Sequence, residues 1–331
     1  MKIAGTNQPR NNTDTMPEGL LLLHKQPGVT SFEALYEVKR ALGTSRVGHT
    51  GTLDKFAEGL LPVLAGRAVK LTPWFSHSDK QYRGKIRFGL ETDTLDPEGQ
   101  TVAESGIPSR EAVEAALPLF RGEILQAPPL YSAIHLEGRR ASERARAGET
   151  PEMKKRPVTI YRLDLISWEP PLAEIAVHCS SGAYIRSLAR DLALAAGSRG
   201  YLAALTRTHV AGFELSRAVR GDDSNLPAAL LPINRTVFEA LGLPWFDLDK
   251  ECVQYIIQGK PLSCVLKGRQ VRCPAVPGPG NGERTDAAGV FCGDLFAALI
   301  EKKPGTGGEP VWSYGYVYAA AGPVQTAYAD H

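Results

Sequence analysis

The chain has 331 residues, enough for about two domains of roughly 150 residues each. Hydrophobic residues make up 43% and charged residues 22% of the chain, proportions close to the globular average, which excludes disordered, collagen-like and coiled-coil proteins. The formal net charge of +2 is too small to indicate a nucleic-acid partner by itself, so the local distribution of charge has to decide.

The sequence contains no motif typical of a metal site, and we expect no targeting segment. Apolar runs such as residues 20–23 are far shorter than the ~18 residues of a membrane span, so we expect a cytoplasmic protein. The five cysteines form no CxxC pair and favour free, mostly buried thiols over a disulfide framework or a zinc ribbon. Neither HExxH, GxGxxG nor GxxxxGK[ST] occurs, which argues against metal and nucleotide sites.

The first ordered elements follow a polar leader, residues 1–18, which we expect to be flexible. Residues 20–24 are typical of a strand. Thr30 and Glu33 form a capping box that opens a helix, and Gly43 ends it. The apolar positions predicted to share one face of this helix are Phe32, Leu35, Tyr36 and Leu42.

Strand patterns dominate the middle of the chain. A loop over residues 44–54 precedes an apolar stretch, residues 57–75, in which we predict a helix and part of a second. Residues 81–88 alternate as a strand, with Tyr82 on the apolar face. The remaining predicted elements of this part are strands at 158–168 and 173–179, a loop at 180–183, and a helix at 184–195 with Ile185, Leu188 and Leu192 inward.

Because strands and helices mix without a regular βαβ repeat, we predict an α+β domain with a largely antiparallel sheet over residues 19–243. A different pattern over residues 245–331 indicates a small β-barrel of ~80 residues. Its predicted elements are a helix at 248–258, β-like pieces at 264–272, 289–300 and 311–319, and a Gly- and Pro-rich loop at 274–286.

A lone aspartate in a loop is usually an ordinary turn residue, but Asp54 ends an unusual one. RVGHTGTLD, residues 46–54, continues as KFAEGLLPVLAGRAVKLT and is followed by KQYRGKIRFGLETDTLDPEG, residues 80–99. These stretches resemble the two N-terminal motifs of the TruB-type tRNA pseudouridine synthases, which isomerise the uridine of the TΨC loop. The resemblance implies a pseudouridine synthase catalytic domain followed by a PUA-like RNA-binding domain.

Further blocks in the same order extend the resemblance over nearly all of residues 19–243. They are GLLLLHKQPGVTS, QAPPLYSAIHLEGRRASERARAG, SSGAYIRSLARDLA, YLAALTRTHVAGF and LLPI. The chain departs from the family at four positions: His24 replaces a usual Asp, Lys55 a usual Pro, His135 a usual Lys and Ser142 a usual aromatic residue. These departures affect the expected loop shape and RNA contacts.

Pseudouridine formation breaks the bond between C1′ and N1, rotates the base and joins C5 to the same sugar carbon. A carboxylate beside C1′ can capture or stabilise the positive charge that develops on the ribose. The resemblance implies that Asp54 is this carboxylate and that Arg186 pairs with it. Whether the aspartate attacks the sugar, attacks the base or promotes a glycal route stays open.

Five other residues match motif positions that hold the substrate. Tyr82, in KQYRG, offers a ring on which a flipped uracil stacks and a hydroxyl that could act as general base. Leu205 resembles the family's pocket leucine, although an ordinary core leucine is the alternative. His49 resembles the histidine that inserts into the RNA loop, and Lys80 and Tyr184 belong to the same motifs and are expected to contact RNA.

A basic segment, residues 125–156, aligns with the family's thumb, which closes over tRNA. Between residues 138 and 156, seven positive and three negative side chains leave a net charge of +4. A solvated helix face is the alternative. The phosphate contacts that we expect here are Arg139, Arg140, Lys154 and Lys155.

The sequence therefore predicts a tRNA pseudouridine synthase that acts on uridine 55 of the T arm, as a monomer and without cofactor or metal. The acidic turn at residues 92–99 is assigned no metal. An RNA-binding module without chemistry is a rival, disfavoured by intact Asp54, Tyr82 and Arg186. A glycoside hydrolase lacks a second acid in a matching motif, and guide-RNA-dependent relatives fit the spacing less well.

Overall fold

The computed structural model describes residues 16–132, 134–136, 138–149, 151–274, 286–305 and 309–318. The strands are β1 (Gly19–Lys25), β2 (Val47–His49), β3 (Glu58–Ala65), β4 (Lys80–Phe88), β5 (Leu90–Thr92), β6 (Thr101–Glu104), β7 (Gly122–Gln126), β8 (His135–Leu136), β9 (Arg139–Arg140), β10 (Arg156–Glu169), β11 (Leu172–Cys179), β12 (Gly200–Val210), β13 (Phe213–Glu214), β14 (Val219–Arg220), β15 (Trp245–Asp247), β16 (Ala287–Cys292), β17 (Leu295–Pro304) and β18 (Pro310–Val317). The α-helices are α1 (Leu35–Leu42), α2 (Thr72–Ser76), α3 (Arg110–Ala116), α4 (Ala141–Arg146), α5 (Ile185–Ala195), α6 (Arg235–Leu241), α7 (Lys250–Ile257) and α8 (Leu262–Val265).

The main sheet contains ten strands within the described residues. Its order is β14-β1-β3-β12-β4-β11-β10-β7, with β13 paired to β12 and β2 paired to β3. Neighbours are antiparallel except for the β1–β14 and β3–β12 pairs. The prediction of an α+β fold with a largely antiparallel sheet is therefore confirmed.

Strand β4 shows why the alternating pattern was informative. Tyr82 and Ile86 are buried on one face, whereas Arg83 and Lys85 are exposed on the other. Because successive strand residues point to opposite faces, one face covers the core and the other meets solvent. The strands predicted at 158–168 and 173–179 are likewise present as β10 and β11, and the helix predicted at 184–195 is α5.

The helix predicted within residues 57–75 is wrong for its first part, where the chain forms β3 and then a 3₁₀ turn, Gly66–Leu71, before the short α2. Strand β3 lies between β1 and β12 and is buried along almost its whole length. A strand buried on both faces is continuously apolar, and its pattern does not differ from that of a buried helix. Gly59 permits the parallel pairing, because a Cβ there would lie 2.4 Å from the carbonyl oxygen of Arg207.

The predicted capping box before α1 is present. The backbone amide of Thr30 donates to Glu33 at 2.7 Å, and that of Glu33 donates to the Thr30 hydroxyl at 3.1 Å. Gly43 ends the helix in the left-handed conformation. The predicted inward face is wrong for Phe32 and Tyr36, which are 72% and 67% exposed. The residues that α1 buries are Leu35, Val38 and Leu42.

The loop predicted at 44–54 contains the short strand β2, so the chain approaches Asp54 from an ordered sheet edge. Residues 1–15 of the predicted leader lie outside the described residues, and Glu18 pairs with Arg67 at 2.5 Å. Cysteines are free as predicted, but only Cys179 is fully buried, so the expectation of mostly buried thiols is wrong.

The C-terminal part contains α7, close to its predicted position, and a second sheet in the order β15-β16-β17-β18. The strand predicted at 264–272 is wrong: α8 ends at Val265, and the rest forms a single bridge from Arg272 to Trp245. The piece predicted at 289–300 is a hairpin of β16 and β17, and β18 covers most of the last piece. Most of the predicted loop at 274–286 lies outside the described residues.

An aromatic cluster joins the two sheets. The ring of Phe238, in α6, lies 5.2 Å from that of Phe291 and 5.1 Å from that of Phe296. The same core includes Leu20 of β1 and Leu243. The predicted domain boundary at 243 therefore falls inside a shared core, and independent folding of two domains stays a prediction.

Candidate active site

A cleft of about 670 Å³ opens along the main sheet between β2, β4, β12 and the start of α5. Seven of the side chains predicted to form the site line it: His49, Asp54, Lys80, Tyr82, Tyr184, Arg186 and Leu205. The chain positions of these residues span more than 150 residues, so the sheet gathers them. Among the described side chains, those of Arg139, Lys154 and Lys155 do not line the cleft.

Asp54 and Arg186 form an ion pair at the base of this cleft. Nε of Arg186 lies 3.0 Å from Oδ2 of Asp54, and Nη2 donates to Oδ1 at 3.1 Å. The Arg186 side chain is only 5% exposed, whereas the Asp54 side chain keeps 36% of its surface open to the cleft. The buried guanidinium thus pairs with the carboxylate from the protein interior and leaves part of the carboxylate exposed to the cleft.

Three further groups fix Arg186, and none of them was predicted from the sequence. Nη1 lies 3.2 Å from Oδ2 of Asp96 and donates to the carbonyl of Thr94 at 2.9 Å, and Nη2 donates to the carbonyl of Tyr131 at 3.0 Å. Since Arg186 is in the first turn of α5, where the helix dipole disfavours a cation, two carboxylates stabilise it there. The acidic turn assigned no metal therefore supplies Asp96 to this network.

The environment of Asp54 contains opposing influences on its protonation. Burial raises the pKa of Asp54 above the ordinary value, Arg186 acts to lower it, and the nearby charge of Asp96 raises it further. The carboxyl therefore takes up a proton at a higher pH than an exposed aspartate. In its ionised form it presents a negative charge that water screens poorly, which suits attack on a developing cation.

Three buried side chains hold the loop that carries Asp54. The Ser31 hydroxyl donates to the carbonyl of Leu53 at 2.9 Å and accepts from its amide at 2.8 Å. Nζ of Lys25 donates to the carbonyl of Ala57 at 2.6 Å. Burial lowers the pKa of Lys25 to about 8. A rigid loop keeps the carboxylate in one place relative to the substrate, which intramolecular reactions need.

Arg207 is the third of these side chains and was also missed. It is 1% exposed, and its guanidinium donates to the carbonyls of Leu60 at 2.7 Å and Gly51 at 3.1 Å. A buried arginine on a strand gives no sequence signal beyond a charge in an otherwise alternating pattern. Its position beside both the loop and Tyr82 became evident only from the pairing of β12 with β4.

Tyr82 lies in the cleft wall with its ring buried, as predicted. Burial raises the pKa of Tyr82 to about 12, although Arg207 beside it acts in the opposite direction. The hydroxyl is therefore protonated at neutral pH. Leu205, on the adjacent strand β12, contributes a second apolar surface to the same wall. Together they form an apolar platform next to Asp54.

His49 ends β2 and lines the cleft. Burial lowers the pKa of its imidazole, and the charge of Arg207 adds to the effect, so the ring is neutral at neutral pH. Its Nδ1 is buried without a hydrogen-bond partner among the described residues. A neutral planar ring at this place is suited to stacking between bases.

Lys80 and Tyr184 line the cleft and also have structural contacts. Nζ of Lys80 donates to the carbonyls of Ser76 at 2.9 Å and Ser78, and it therefore closes the end of α2. The backbone of Tyr184 exchanges two hydrogen bonds with the side chain of Gln126, at 2.7 and 3.1 Å. These bonds anchor the base of the predicted thumb to the start of α5.

The predicted phosphate contacts differ in their surroundings. Arg139 and Arg144 both pair with Glu149, at 2.9 and 2.6 Å, so part of the basic excess is neutralised within the segment. Lys154 and Lys155 are exposed. The side chain of Arg140 lies outside the described part of the structure. Arg146 of α4 lines the cleft, although we did not single it out from the sequence.

Among the described residues, no group of three or more histidine, cysteine, aspartate or glutamate side chains could hold a metal ion. The described helices include none that is both long and apolar enough to cross a membrane.

The TruB family pseudouridylate synthase (N terminal domain) model matches residues 39–185. The tRNA pseudouridine synthase B of Borreliella burgdorferi (strain ZS7) is 46% identical over 203 residues, which cover 60% of this chain and 72% of the relative. That of Pseudomonas aeruginosa (strain UCBPP-PA14) is 38% identical over 286 residues, which cover 83% of this chain and 90% of the relative.

Solved structures with a similar fold include a chain of a Cbf5-Nop10-Gar1 complex, with a TM-score of 0.66 and 20% identity over 92% of this chain and 84% of that chain. A chain of an H/ACA RNP bound to a substrate RNA containing 2′-deoxyuridine has a TM-score of 0.67 and 19% identity over 92% and 86%. At this identity the likeness shows the fold alone. It agrees with the α+β architecture and the separate C-terminal sheet.

Proposed function

Because this chain belongs to the TruB family of pseudouridylate synthases, we propose that it isomerises uridine 55 in the TΨC loop of tRNA. Isomerisation of tRNA uridine to pseudouridine is the activity of the relatives and of this chain. The observation that carries the finer proposal is the Asp54–Arg186 pair, at 3.0 Å, at the base of a cleft large enough for a nucleotide.

The proposed reaction starts at Asp54. The C1′–N1 bond breaks with its electron pair left on the uracil, and the carboxylate captures or stabilises the cationic C1′. The base then turns and C5 bonds to C1′, which releases the carboxylate. C5 finally loses a proton and N1 gains one. Arg186 keeps the carboxylate oriented and favours its charged form. Substrate and product are isomers, so the reaction needs no oxidant, reductant or hydrolytic water. We accordingly propose catalysis without cofactor or metal.

The target base has to leave its stack before Asp54 can reach the sugar. Extrusion costs a few kcal/mol. Contacts with the flipped base, and a side chain that fills the gap it leaves in the stack, have to offset this cost. We propose that the uracil packs against Tyr82 and Leu205, and that the neutral ring of His49 fills the vacancy. Lys80 and Tyr184 border the same pocket and contact the nucleotide from its rim.

The proton on C5 needs an acceptor, and we propose the Tyr82 oxygen. Its pKa of about 12 leaves little phenolate at neutral pH, which limits the rate of this step. The Arg207 guanidinium acts to lower the pKa of the Tyr82 hydroxyl and therefore stabilises its phenolate form. We assign this role to Tyr82 because its side chain lies in the cleft wall. The variant Tyr82→Phe distinguishes proton transfer from stacking, since it removes the hydroxyl and keeps the ring.

Outside the cleft, we propose that the thumb residues Arg139, Arg140, Lys154 and Lys155 bind T-arm phosphates and that the C-terminal part, as a PUA-like domain, contacts tRNA away from the T loop. Phosphate contacts of this kind give affinity and orientation without reading sequence. The monomeric state and the cytoplasmic location stay predictions.

The direct test uses the full chain with an unmodified T-arm stem-loop and with full-length tRNA transcript. Pseudouridine is mapped by carbodiimide modification and primer extension, and a transcript with cytidine at position 55 is the control. We expect pseudouridine at position 55 in both RNAs and no new stop in the control. Modification of a different uridine, or none, would contradict the proposal.

A further inference from the structure

Lys55 follows Asp54 directly, and its backbone is held by hydrogen bonds whereas its side chain is largely exposed. The Lys55 carbonyl accepts from the amide of Gly28 at 2.8 Å and from Nζ of Lys25 at 3.4 Å, so the main chain is anchored. The side chain is 51% exposed and lines the cleft. An anchored backbone with a half-exposed ammonium group places a positive charge at the cleft rim.

One acidic residue faces this ammonium group across the cleft mouth. Oε1 of Glu98, in the turn that also carries Asp96, lies 3.8 Å from Nζ of Lys55, and the Glu98 side chain is 45% exposed. An exposed ion pair at this distance contributes little to stability, because water screens both charges. Glu33 also lies within electrostatic reach, but its carboxylate already accepts the bonds of the capping box. Glu98 therefore holds Lys55 only weakly.

We propose that Lys55 binds a backbone phosphate beside the flipped uridine and that Glu98 competes with this phosphate in the free enzyme. The inference rests on the proposed function. When C1′ is at Asp54, the phosphates of the same nucleotide have to stay at the solvent-facing rim, because burying them unpaired would cost far too much free energy. Lys55 follows Asp54 in the chain and presents a half-exposed ammonium group at this rim, and a lysine is a compact charge suited to phosphate.

The test is a double-mutant cycle of Lys55→Gln and Glu98→Gln. The dissociation constant is measured for a T-arm stem-loop that already carries pseudouridine, so no turnover occurs, at several salt concentrations. Lys55→Gln should weaken binding about threefold and reduce the salt slope by about 0.7 to 0.9, the value of one phosphate contact. Glu98→Gln should tighten binding about twofold, and this gain should vanish in the double variant.

The matched control is Lys85→Gln, which removes the same charge from the sheet face opposite Tyr82 and should leave the dissociation constant and slope unchanged. An unchanged salt slope in Lys55→Gln would overturn the phosphate contact. A gain from Glu98→Gln that persists without Lys55 would overturn the competition. Wild-type chain that fails to convert the unmodified stem-loop would instead refute the proposed function.

Discussion

Two arginines of the cleft, Arg186 and Arg207, are buried, whereas Arg269 and Arg272 of the C-terminal sheet region are exposed. Arg186 and Arg207 contact carboxylates or backbone carbonyls on several sides and are almost inaccessible. Arg269 and Arg272 pair with Asp249 and Asp247, but both arginine side chains remain substantially exposed. Exposed pairs contribute little to stability, whereas a buried charge is held only where all its partners are in place.

The cleft and the C-terminal sheet are accordingly expected to differ in role: the cleft in catalysis and the C-terminal sheet in stability. None of the described residues after 243 lines the cleft, and the C-terminal sheet meets the main sheet through the rings of Phe238, Phe291 and Phe296. Substitutions in the cleft should therefore change turnover, and substitutions in the aromatic cluster should change stability.

The largest effect is expected from Arg186→Lys. An ammonium group cannot reproduce the contacts of a planar guanidinium with Asp54, Asp96 and two carbonyls. We expect kcat to fall by about 10³-fold, with tRNA still bound. Arg269→Lys, in the exposed pair, should keep wild-type turnover of the T-arm stem-loop. Single-turnover kinetics and melting curves on both variants check this prediction. Equal activity in the two variants would contradict the claim that the buried arginine of the cleft matters more for turnover than the exposed one.

The aromatic cluster should show the opposite behaviour. Phe296 is buried among Phe238, Phe291 and Tyr318, and Phe296→Ala should lower the free energy of unfolding by about 3 kcal/mol through the lost contacts and the cavity. The kcat of folded protein should stay unchanged. Denaturant titration and turnover at a temperature below the transition measure the two quantities. A loss of kcat without a loss of stability would show that the C-terminal part helps to build the site.

Tyr82→Phe keeps the ring and removes the hydroxyl. If the oxygen accepts the C5 proton, kcat should fall by about 10²-fold while the dissociation constant of the T-arm stem-loop changes little. The matched variant Tyr255→Phe removes a hydroxyl that bonds Glu251 on exposed α7 and should not affect either quantity. Near-normal turnover in Tyr82→Phe would restrict Tyr82 to stacking.

The smallest effect is expected from the exposed lysines of the thumb. Replacing Lys154 and Lys155 by Gln should weaken binding of the T-arm stem-loop about threefold for each contact and flatten its salt dependence by up to ~0.9 for each. Lys302→Gln with Lys303→Gln, on β17, should leave both values unchanged for this short RNA. Fluorescence anisotropy over a salt series measures them. An unchanged slope in the thumb variant would make that segment a solvated face.

The sequence predicted the surface strands better than the buried ones. Alternation located Tyr82 on the inward face of β4, because one side of that strand is polar. Alternation could not identify β3, because that strand is apolar on both faces. Helical periodicity was wrong for Phe32 and Tyr36, because α1 buries Val38 instead of these two aromatic residues. Periodicity reports which residues are apolar, and the tertiary packing decides which of them are covered.

The site could be predicted only as far as motifs reach. The proximity of Asp54 and Arg186, expected from the resemblance, is confirmed by their 3.0 Å contact. Asp96 and Arg207 were missed, since each acts through partners distant in sequence and brought together by strand pairing. Their contacts explain how the cleft holds an ion pair that burial alone would disfavour.

Asp54→Asn tests the central claim most directly, because the amide keeps the shape of the side chain and removes the negative charge. Wild type and variant are compared for binding and for pseudouridine formation on the same T-arm stem-loop, with Asp249→Asn in the C-terminal part as the control. The account predicts unchanged binding by Asp54→Asn and no detectable pseudouridine, with normal turnover by Asp249→Asn. Pseudouridine formed by Asp54→Asn at a rate near that of wild type would contradict it.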